Sequence, residues 1–443
     1  MHIKIRGDKM SYAEKIESLI STSMDEIIRR YEADKTYHFI DTKLDLMTGK
    51  DFSPEDAWYK QKNIIFCWIQ GRAMESLAKH IIYFEEKKDR SRVQKLKKIL
   101  AEVTANMEKC RRKNHGRLFF MMDTDGNFLR MDEKGNPQIL ENIPAESNYS
   151  DLFYSKGLLA AGAVLKNEKY FKRGKAYLKR VICDILAERF ATDQQMFDPA
   201  NPVLFTPGKL LQGPKMIALS GTALGMACDE DIACWERRGK ALLKRLFERY
   251  FAFEDKENFQ KYDFWEAVDT AFAPYSDNGK IICDPGHGLE FVGLSLKNLL
   301  SFKLPAGKKE AARCRKFYAN LLAHLFEIGF APAPGGVIKS FDLKSRKEVN
   351  TDMPWWSLPE TIRAAALCYK FTADDRCVGI MKKCLDAFFG KYVRYDIYQM
   401  AVQTRNSKGK AVSVIPATPD ADPGYHTNMS LIDALAVVRA LNL

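Results

Sequence analysis

The feature that most constrains the fold is a short phrase that occurs twice, each time opening an apolar, helix-like run. Residues 284–287 read Asp-Pro-Gly-His, and residues 422–426 read Asp-Pro-Gly-Tyr-His. Asp284 is suited to cap a helix, and Pro285 suits the first helical position because its missing N–H would be unpaired there anyway. Two copies of one helix start predict equivalent positions in a repeated architecture.

The spacing of further helix starts supports this repeat. Each unit has room for two helices of roughly 15 to 20 residues plus loops, which predicts an all-α toroid of six helical hairpins. The six starts, separated by 79, 64, 72, 69 and 70 residues, lie at Arg72, Asp151, Lys215, His287, Trp356 and His426.

Strand-like insertions interrupt the helical pattern just before three of these starts. Residues 117–128 alternate and turn on Asp-Gly, which predicts a β-hairpin, and residues 335–342 and 392–414 are similar insertions. Short hairpins at one end of the toroid would surround a cleft there.

The composition permits this architecture and excludes several classes of protein. A chain of 443 residues with 46% hydrophobic content can form one barrel over residues 12–443, with residues 1–11 as an N-terminal extension. No apolar run reaches the roughly 18 residues of a membrane span. The ten cysteines lack zinc-site spacing, so free thiols in the cytoplasm are expected; Cys283 with His287 lacks further metal ligands, and no metal is predicted.

The net charge of +12 raises the question of a nucleic-acid partner. The densest basic run, residues 87–98, has few aromatic residues interleaved to stack bases. A solvated face of an outer helix explains it better, so neither a nucleic acid nor a membrane is predicted as a partner.

Histidine is scarce, and two of the seven occupy matching frames. His287 and His426 start apolar helices, and equivalent ends of a closed ring point at a common centre. The positive end of a helix disfavours an added proton, so both rings are predicted to be neutral near pH 7 and able to act as bases. The remaining histidines lie in the extension, in loops or at outer-helix ends: His2, His38, His80, His115 and His324.

Two charged residues share these apolar helices. Arg72 is costly to bury unless it meets an anion or a polar ligand, although an ion pair with a structural carboxylate fits equally well. Glu290 lies one helical turn after His287 and is placed to orient that ring. Two facing imidazoles suit removal of a proton from one face of a carbon atom and its return to the other.

Taken together, five phrases resemble the N-acylglucosamine 2-epimerase family, which includes cellobiose 2-epimerases and aldose–ketose isomerases. They are residues 68–72, 149–153, 284–290, 355–360 and 424–426, and the match runs from about Trp58 to Leu435. The resemblance implies an (α/α)6 barrel, a free reducing sugar bound in ring-opened form, and a homodimer. It implies the acid/base pair His287 and His426, Arg72 near O1 and O2, Glu290 as partner of the first histidine, and the sugar-facing residues Trp355, Trp356, Glu360, Trp68, Tyr149 and Asp151.

The chain departs from the family pattern at three points. After Glu290, family members commonly have a tryptophan, and this chain has Phe291. Before the paired tryptophans, family members often have a lysine, and this chain has Pro354. The helix of Lys215 lacks the histidine that the cellobiose and mannose branches usually carry, which favours an acylamino sugar, or a specificity outside these branches, as the substrate class. Trp355 and Trp356 are also explained by core packing.

The leading hypothesis is a sugar 2-epimerase, with an aldose–ketose isomerase or a cellobiose 2-epimerase as the alternatives on the same site. A glycoside hydrolase or lyase would need two cleft carboxylates, drawn from Glu290, Glu360, Glu266 and Asp269. A non-catalytic sugar-binding or protein-interaction toroid is the third class. The chain has no Gly-rich loop of the kind that binds nucleotide phosphates. No required cofactor is therefore predicted.

Overall fold

The computed structural model describes residues 10–195, 197, 206–256, 258–302, 308–415 and 417–443, so most of the predicted extension lies outside the described residues. In these ranges, the α-helices are Tyr12–Ala33 (α1), Cys67–Glu86 (α2), Arg90–Lys113 (α3), Tyr149–Val164 (α4), Glu168–Leu186 (α5), Gly213–Cys228 (α6), Ile232–Tyr250 (α7), Pro285–Leu299 (α8), Lys308–Gly329 (α9), Ser357–Thr372 (α10), Arg376–Ala387 (α11) and Thr427–Ala440 (α12).

The even-numbered helices form a closed inner ring. Each of α2, α4, α6, α8, α10 and α12 contacts the next, and α12 returns to α2. Each of the inner helices α2 to α10 also packs against the odd-numbered outer helix that follows it in the chain. The outer partner of α12 is α1, the first helix of the chain. The predicted (α/α)6 barrel of six hairpins is therefore confirmed.

Sequence pattern separates the two rings. In α4 every residue from Ser150 to Gly162 is buried, as expected for a helix surrounded by others. In α5 the buried residues recur at helical spacing and the opposite face is charged, which is typical of an outer helix: Gly174, Tyr177, Leu178, Val181, Ile182 and Ile185.

A pair of glycines allows α2 and α4 to cross closely. A Cβ atom on Gly71 would lie 2.6 Å from the backbone nitrogen of Tyr154, and one on Gly157 would lie 2.5 Å from the carbonyl oxygen of Gly71. The two backbones thus meet where only glycine fits.

Short antiparallel strands lie in the loops that lead into the inner helices, which confirms the predicted insertions. The strand before α8 pairs with the hairpin at residues 340–342, with Ile282 opposite Asp342. The strands are Leu44–Asp45 (β1), Lys50–Asp51 (β2), Ile64–Phe66 (β3), Met121–Asp123 (β4), Phe128–Met131 (β5), Pro137–Ile139 (β6), Leu210–Leu211 (β7), Ala267–Val268 (β8), Ser276–Asp277 (β9), Lys280–Cys283 (β10), Phe330–Ala331 (β11), Gly336–Val337 (β12), Ser340–Asp342 (β13), Lys347–Asn350 (β14), Met353–Pro354 (β15), Val393–Arg394 (β16), Met400–Ala401 (β17) and Thr404–Arg405 (β18).

The helix starts agree with the prediction in part. Asp284 caps α8, accepting a hydrogen bond from the backbone nitrogen of His287 at 3.2 Å. His426 is the residue before α12 and not part of its first turn. The placement of His80 was wrong, because it lies fully buried inside α2 and bonds Asn428 at 3.0 Å. None of the described helices is long and apolar enough to cross a membrane.

Candidate active site

The two histidines in matching frames border the same tryptophan. The ring centre of His287 lies 5.2 Å from that of Trp356, and the ring centre of His426 lies 5.8 Å from it. The two imidazole centres are therefore no further apart than the sum of these distances. Both rings reach solvent, since 30% of the His287 side chain and 12% of the His426 side chain are exposed.

From His426 the contacts continue around the ring of inner helices. The Tyr425 ring lies 5.0 Å from His426, and the guanidinium carbon of Arg72 lies 5.5 Å from both the Tyr425 and the Trp68 ring centres. The Trp68 and Tyr149 rings are 5.1 Å apart. Residues of α2, α4 and the start of α12 thus border the same region as the two imidazoles.

The chain of contacts closes through the start of α6. The hydroxyl of Tyr149 lies 2.7 Å from the position that a Cβ on Gly213 would occupy. The preceding residue, Gln212, donates from its side-chain nitrogen to Glu266 Oε2 at 3.4 Å. The same oxygen lies 2.9 Å from His287 Nδ1. Side chains at the starts of all six inner helices therefore encircle one region at the end of the barrel that carries the strands.

His287 is surrounded by negative charge. Its Nδ1 lies 2.9 Å from Glu266 Oε2 and 3.4 Å from Asp284 Oδ2, whose charge Lys339 shares at 2.6 Å. Burial opposes a positive charge on the ring, but Asp284 and Glu266 outweigh it and raise the pKa of His287 to about 9. The prediction of a neutral ring was wrong here, because two carboxylates outweigh the helix terminus.

His426 has the opposite electrostatic surroundings. Its Nδ1 lies 3.0 Å from Glu360 Oε1, but the other oxygen of Glu360 is held by Arg363 in a close ion pair. Burial, together with the charge of Arg72, lowers the pKa of His426 to about 4. This ring is neutral near pH 7, as predicted, and the two imidazoles differ in charge.

Glu290 is not the partner of His287, which corrects the prediction. No hydrogen bond joins the two among the described residues, and the carboxylate of Glu290 lies instead with Glu360 and His426, their ligand atoms within 4.8 Å of one another. Burial and the neighbouring Glu360 raise the pKa of Glu290. A residue three positions along a helix lies one turn deeper, whereas the loop before β8 brings Glu266 level with the ring.

Glu290, Glu360 and His426 form the one group of potential metal ligands found in the described part of the chain. Cys283 is not among them. Glu360 already accepts from Arg363 and faces the Nδ1 of His426. Glu360 and His426 thus form a hydrogen-bonded pair beside Glu290.

Arg72 is partly buried, and among the described residues it has no carboxylate partner. Its guanidinium carbon lies 4.2 Å from the ring centre of Phe153. Among the described residues no carboxylate lies within 4.0 Å of it, and its buried Nε has no hydrogen-bond partner. Burial lowers the pKa of Arg72 and outweighs the charges of Tyr425 and Glu290, which raise it. The ion pair with a structural carboxylate, one of the two interpretations of Arg72, is therefore not found in the described part of the chain.

Asp151 does not border the site, so its assignment to substrate binding was wrong. It is fully buried, pairs with Arg117 at 2.7 Å and accepts from the backbone nitrogen of Leu118. With Asn148 it forms the cap of α4. An acid in the first turn of a helix is satisfied by the helix end itself.

The predicted tryptophans are largely buried. Trp355 donates to the hydroxyl of Thr427 at 3.2 Å, and Trp68 donates to Asp193 at 3.0 Å. Trp356 presents its ring to both histidines. Sequence reasoning placed Glu266 in an outer region and did not assign roles to Gln212 or Tyr425. The signal that could have placed Glu266 near an inner helix is the strand-like Ala-Val pair that follows it, which forms β8.

Comparison with known proteins defines the class. The fold is similar to that of a cellobiose 2-epimerase from Bacillus thermoamylovorans (14% identity, TM-score 0.67, covering 95% of this chain and 99% of that one). It is also similar to that of a D-mannose isomerase (12% identity, TM-score 0.65, covering 97% of this chain and 99% of that one). A GH76 α-mannanase of Bacteroides thetaiotaomicron is less similar (12% identity, TM-score 0.52, covering 97% of each chain). This barrel therefore occurs in sugar epimerases, sugar isomerases and glycoside hydrolases.

The sequence decides among these classes. The family model of N-acylglucosamine 2-epimerase matches residues 144–429, and the chain belongs to that family. No curated protein sequence matches the chain. The protein is thus an enzyme of the sugar epimerase and isomerase class.

Proposed function

We propose that this enzyme inverts C2 of a free reducing sugar, an N-acylhexosamine, without a cofactor. The observation that carries the proposal is the pair of imidazoles that both border Trp356, with the pKa of His287 raised and that of His426 lowered. An acid and a base facing one position are what proton transfer between the two faces of a carbon requires.

The chemistry assigns a role to each charged group. The neutral His426 removes the C2 proton of the open-chain sugar, and the electrons of the C–H bond form the C1=C2 bond of an enolate, with the negative charge on O1. Arg72, which has unused donors, stabilises the negative charge that develops on the sugar oxygens. The cationic His287 then gives its proton to the opposite face of C2, so that one C–H bond is broken and one is formed.

One turnover leaves the two histidines with exchanged charges. His426 is then cationic and His287 neutral, the less stable arrangement in these surroundings. Exchange with water restores the resting state, so the reformed C2–H bond carries solvent hydrogen.

The family assignment and one departure support an acylamino sugar as substrate. At the start of α6, the cellobiose and mannose branches usually carry a histidine on the helix that here begins near Lys215. Lys215 is buried and pairs with Glu188 at 2.7 Å, so this helix start offers the site no imidazole.

The proposal is tested by hydrogen exchange. The protein is incubated in deuterated water with N-acetylglucosamine, N-acetylmannosamine, cellobiose and mannose, and C1 and C2 are followed by NMR. Deuterium at C2 with formation of the epimer supports the proposal, and deuterium at C1 with formation of a ketose indicates an aldose–ketose isomerase. No uptake with any of the sugars contradicts both.

Single substitutions connect the exchange to the site. His287→Asn and His426→Asn should each abolish epimerisation, because each removes one of the two proton-transfer groups. His38→Asn, in an exposed loop, is the matched control and should leave the rate unchanged. A rate within twofold of wild type in either site variant would refute the two-histidine mechanism.

The carboxylates considered for a hydrolase are engaged by other groups: Glu290 and Glu360 lie together, but Glu360 pairs with Arg363 and faces His426. Glu266 bonds His287, and Asp269 accepts from the backbone nitrogens of Ala271 and Ala273 at 2.8 and 3.0 Å in a turn. Turnover in the exchange assay also separates the epimerase from a non-catalytic sugar-binding protein.

A further inference from the structure

We propose that Glu266 is the positioning residue of His287: it holds the proton on Nδ1 and leaves Nε2 to face the substrate. The family resemblance assigns this task to Glu290, and the structure assigns it to a residue 21 positions before the histidine. The catalytic consequence rests on the proposed function, but the contact itself does not.

The backbone of Glu266 is fixed on both sides. Its nitrogen donates to the carbonyl of Ile282 at 2.9 Å, and its carbonyl accepts from the nitrogen of Gln212 at 3.0 Å. Ile282 lies in β10, which leads into α8, and Gln212 lies at the start of α6. Glu266 is therefore held between the starts of two inner helices, at the level of the imidazole.

The side chain is bound to the ring by one oxygen. Oε2 lies 2.9 Å from His287 Nδ1 and accepts from the Gln212 side chain at 3.4 Å. A carboxylate on Nδ1 selects the form of the ring with a proton there and fixes the ring orientation. The other ring nitrogen, Nε2, is then the one that exchanges a proton with the sugar.

No counter-charge weakens Glu266. Among the described residues no lysine or arginine lies within 4.0 Å of it, and its buried Oε1 has no hydrogen-bond partner. Glu360, which faces His426, is paired with Arg363. Glu266 thus lacks the counter-charge that Glu360 has, and with Asp284 it raises the pKa of His287.

The other charged groups around His287 are already engaged. Asp284, the cap of α8, accepts from the backbone nitrogen of His287 and from Lys339 at 2.6 Å, and its distance to Nδ1 is 3.4 Å. Lys339 opposes a charge on the ring. Glu290, on the same helix, lies with Glu360 and His426. Glu266 is thus the group with the shortest contact to the ring and no competing partner.

The contact is tested by titrating His287 directly. The Cε1–Hε1 NMR signal of His287, assigned by its loss in His287→Asn, is followed against pH in wild type and Glu266→Gln. Glutamine keeps the size of the side chain and removes its charge, so the midpoint should fall by about 1 to 3 pH units. Glu266→Asp, which keeps the charge, should give an intermediate midpoint, and Glu348→Gln on the exposed strand β14 should give the wild-type value.

An unchanged midpoint in Glu266→Gln, with native circular dichroism, overturns the proposal. If Glu266→Gln does not fold, the midpoint in Glu266→Asp decides, and a value equal to wild type overturns it in the same way.

Kinetics then test the consequence for catalysis. In Glu266→Gln, kcat should fall by about 100-fold, within the contribution of a positioned acid, while KM stays within about twofold. The alkaline limb of the pH profile should move down with the NMR midpoint. A midpoint shift without turnover of any sugar keeps the Glu266 assignment and counts against the proposed function. Full turnover with no shift of the midpoint does the reverse.

Discussion

Varying the pH tests whether the two imidazoles carry unequal charges. The pKa of about 9 for His287 and of about 4 for His426 differ by about 5 units. At 1.36 kcal/mol per unit, the resting arrangement is favoured over its inverse by about 7 kcal/mol. His426 must be neutral to act as the base, so activity is lost as the pH falls through about 4. His287 must be cationic to act as the acid, so activity is lost as the pH rises through about 9.

The expected profile of kcat/KM is therefore a broad plateau, with tenfold loss per pH unit beyond each limb. Two unperturbed imidazoles, with pKa values near 6.5, would instead give a narrow bell around that pH. The assay is the initial rate of C2 deuterium uptake from pH 4 to pH 10, using a neutral sugar and monitoring circular dichroism to separate titration from unfolding. A narrow maximum near pH 6.5 would refute the electrostatic argument.

Three further predictions concern stability, each measured by urea denaturation. Lys156 and the buried Glu75 form an ion pair at 2.9 Å, so Lys156→Met leaves Glu75 without its partner and should lower the free energy of unfolding by about 3 to 5 kcal/mol. Adding Glu75→Leu should restore most of this loss. An unaltered urea midpoint in the single variant contradicts the prediction. Gly71→Ala places a Cβ 2.6 Å from the backbone nitrogen of Tyr154, so the helices must separate at a loss of about 1 to 3 kcal/mol, and wild-type stability would show that the crossing is not tight. The raised pKa of His287 adds about 3 kcal/mol to the free energy of unfolding below pH 6.5, and this contribution is lost as the pH rises through about 9. His287→Gln should therefore destabilise the protein much more at pH 6 than at pH 9.5. Equal losses at both pH values would be inconsistent with the raised pKa.

The sequence by itself determined the architecture and the two imidazoles. Helix starts at regular spacing and apolar runs between them are local signals, and a closed ring of hairpins is what such a repeat can form. The scarcity of histidine then pointed to His287 and His426. Equivalent starts in a closed ring lie at the same end, so the two rings border one tryptophan although 139 residues separate them.

Arg72 was also found from the sequence, but its role was not. Its position in an apolar helix predicted burial, while an ion pair and a ligand remained equally good explanations. The aromatic ring of Phe153 lies beside the guanidinium, and no carboxylate lies within 4.0 Å of it among the described residues, so the ion pair is not found.

Only the tertiary structure decided which carboxylate meets which imidazole. Helical spacing favoured Glu290 for His287, but backbone pairing at β7, β8 and β10 brings Glu266 to that ring, and Glu290 lies with His426. The charge of each imidazole follows from these contacts, because electrostatic energy depends on distances in space. Local periodicity describes which face of a helix a residue occupies, and it does not contain the distances between loops far apart in the chain.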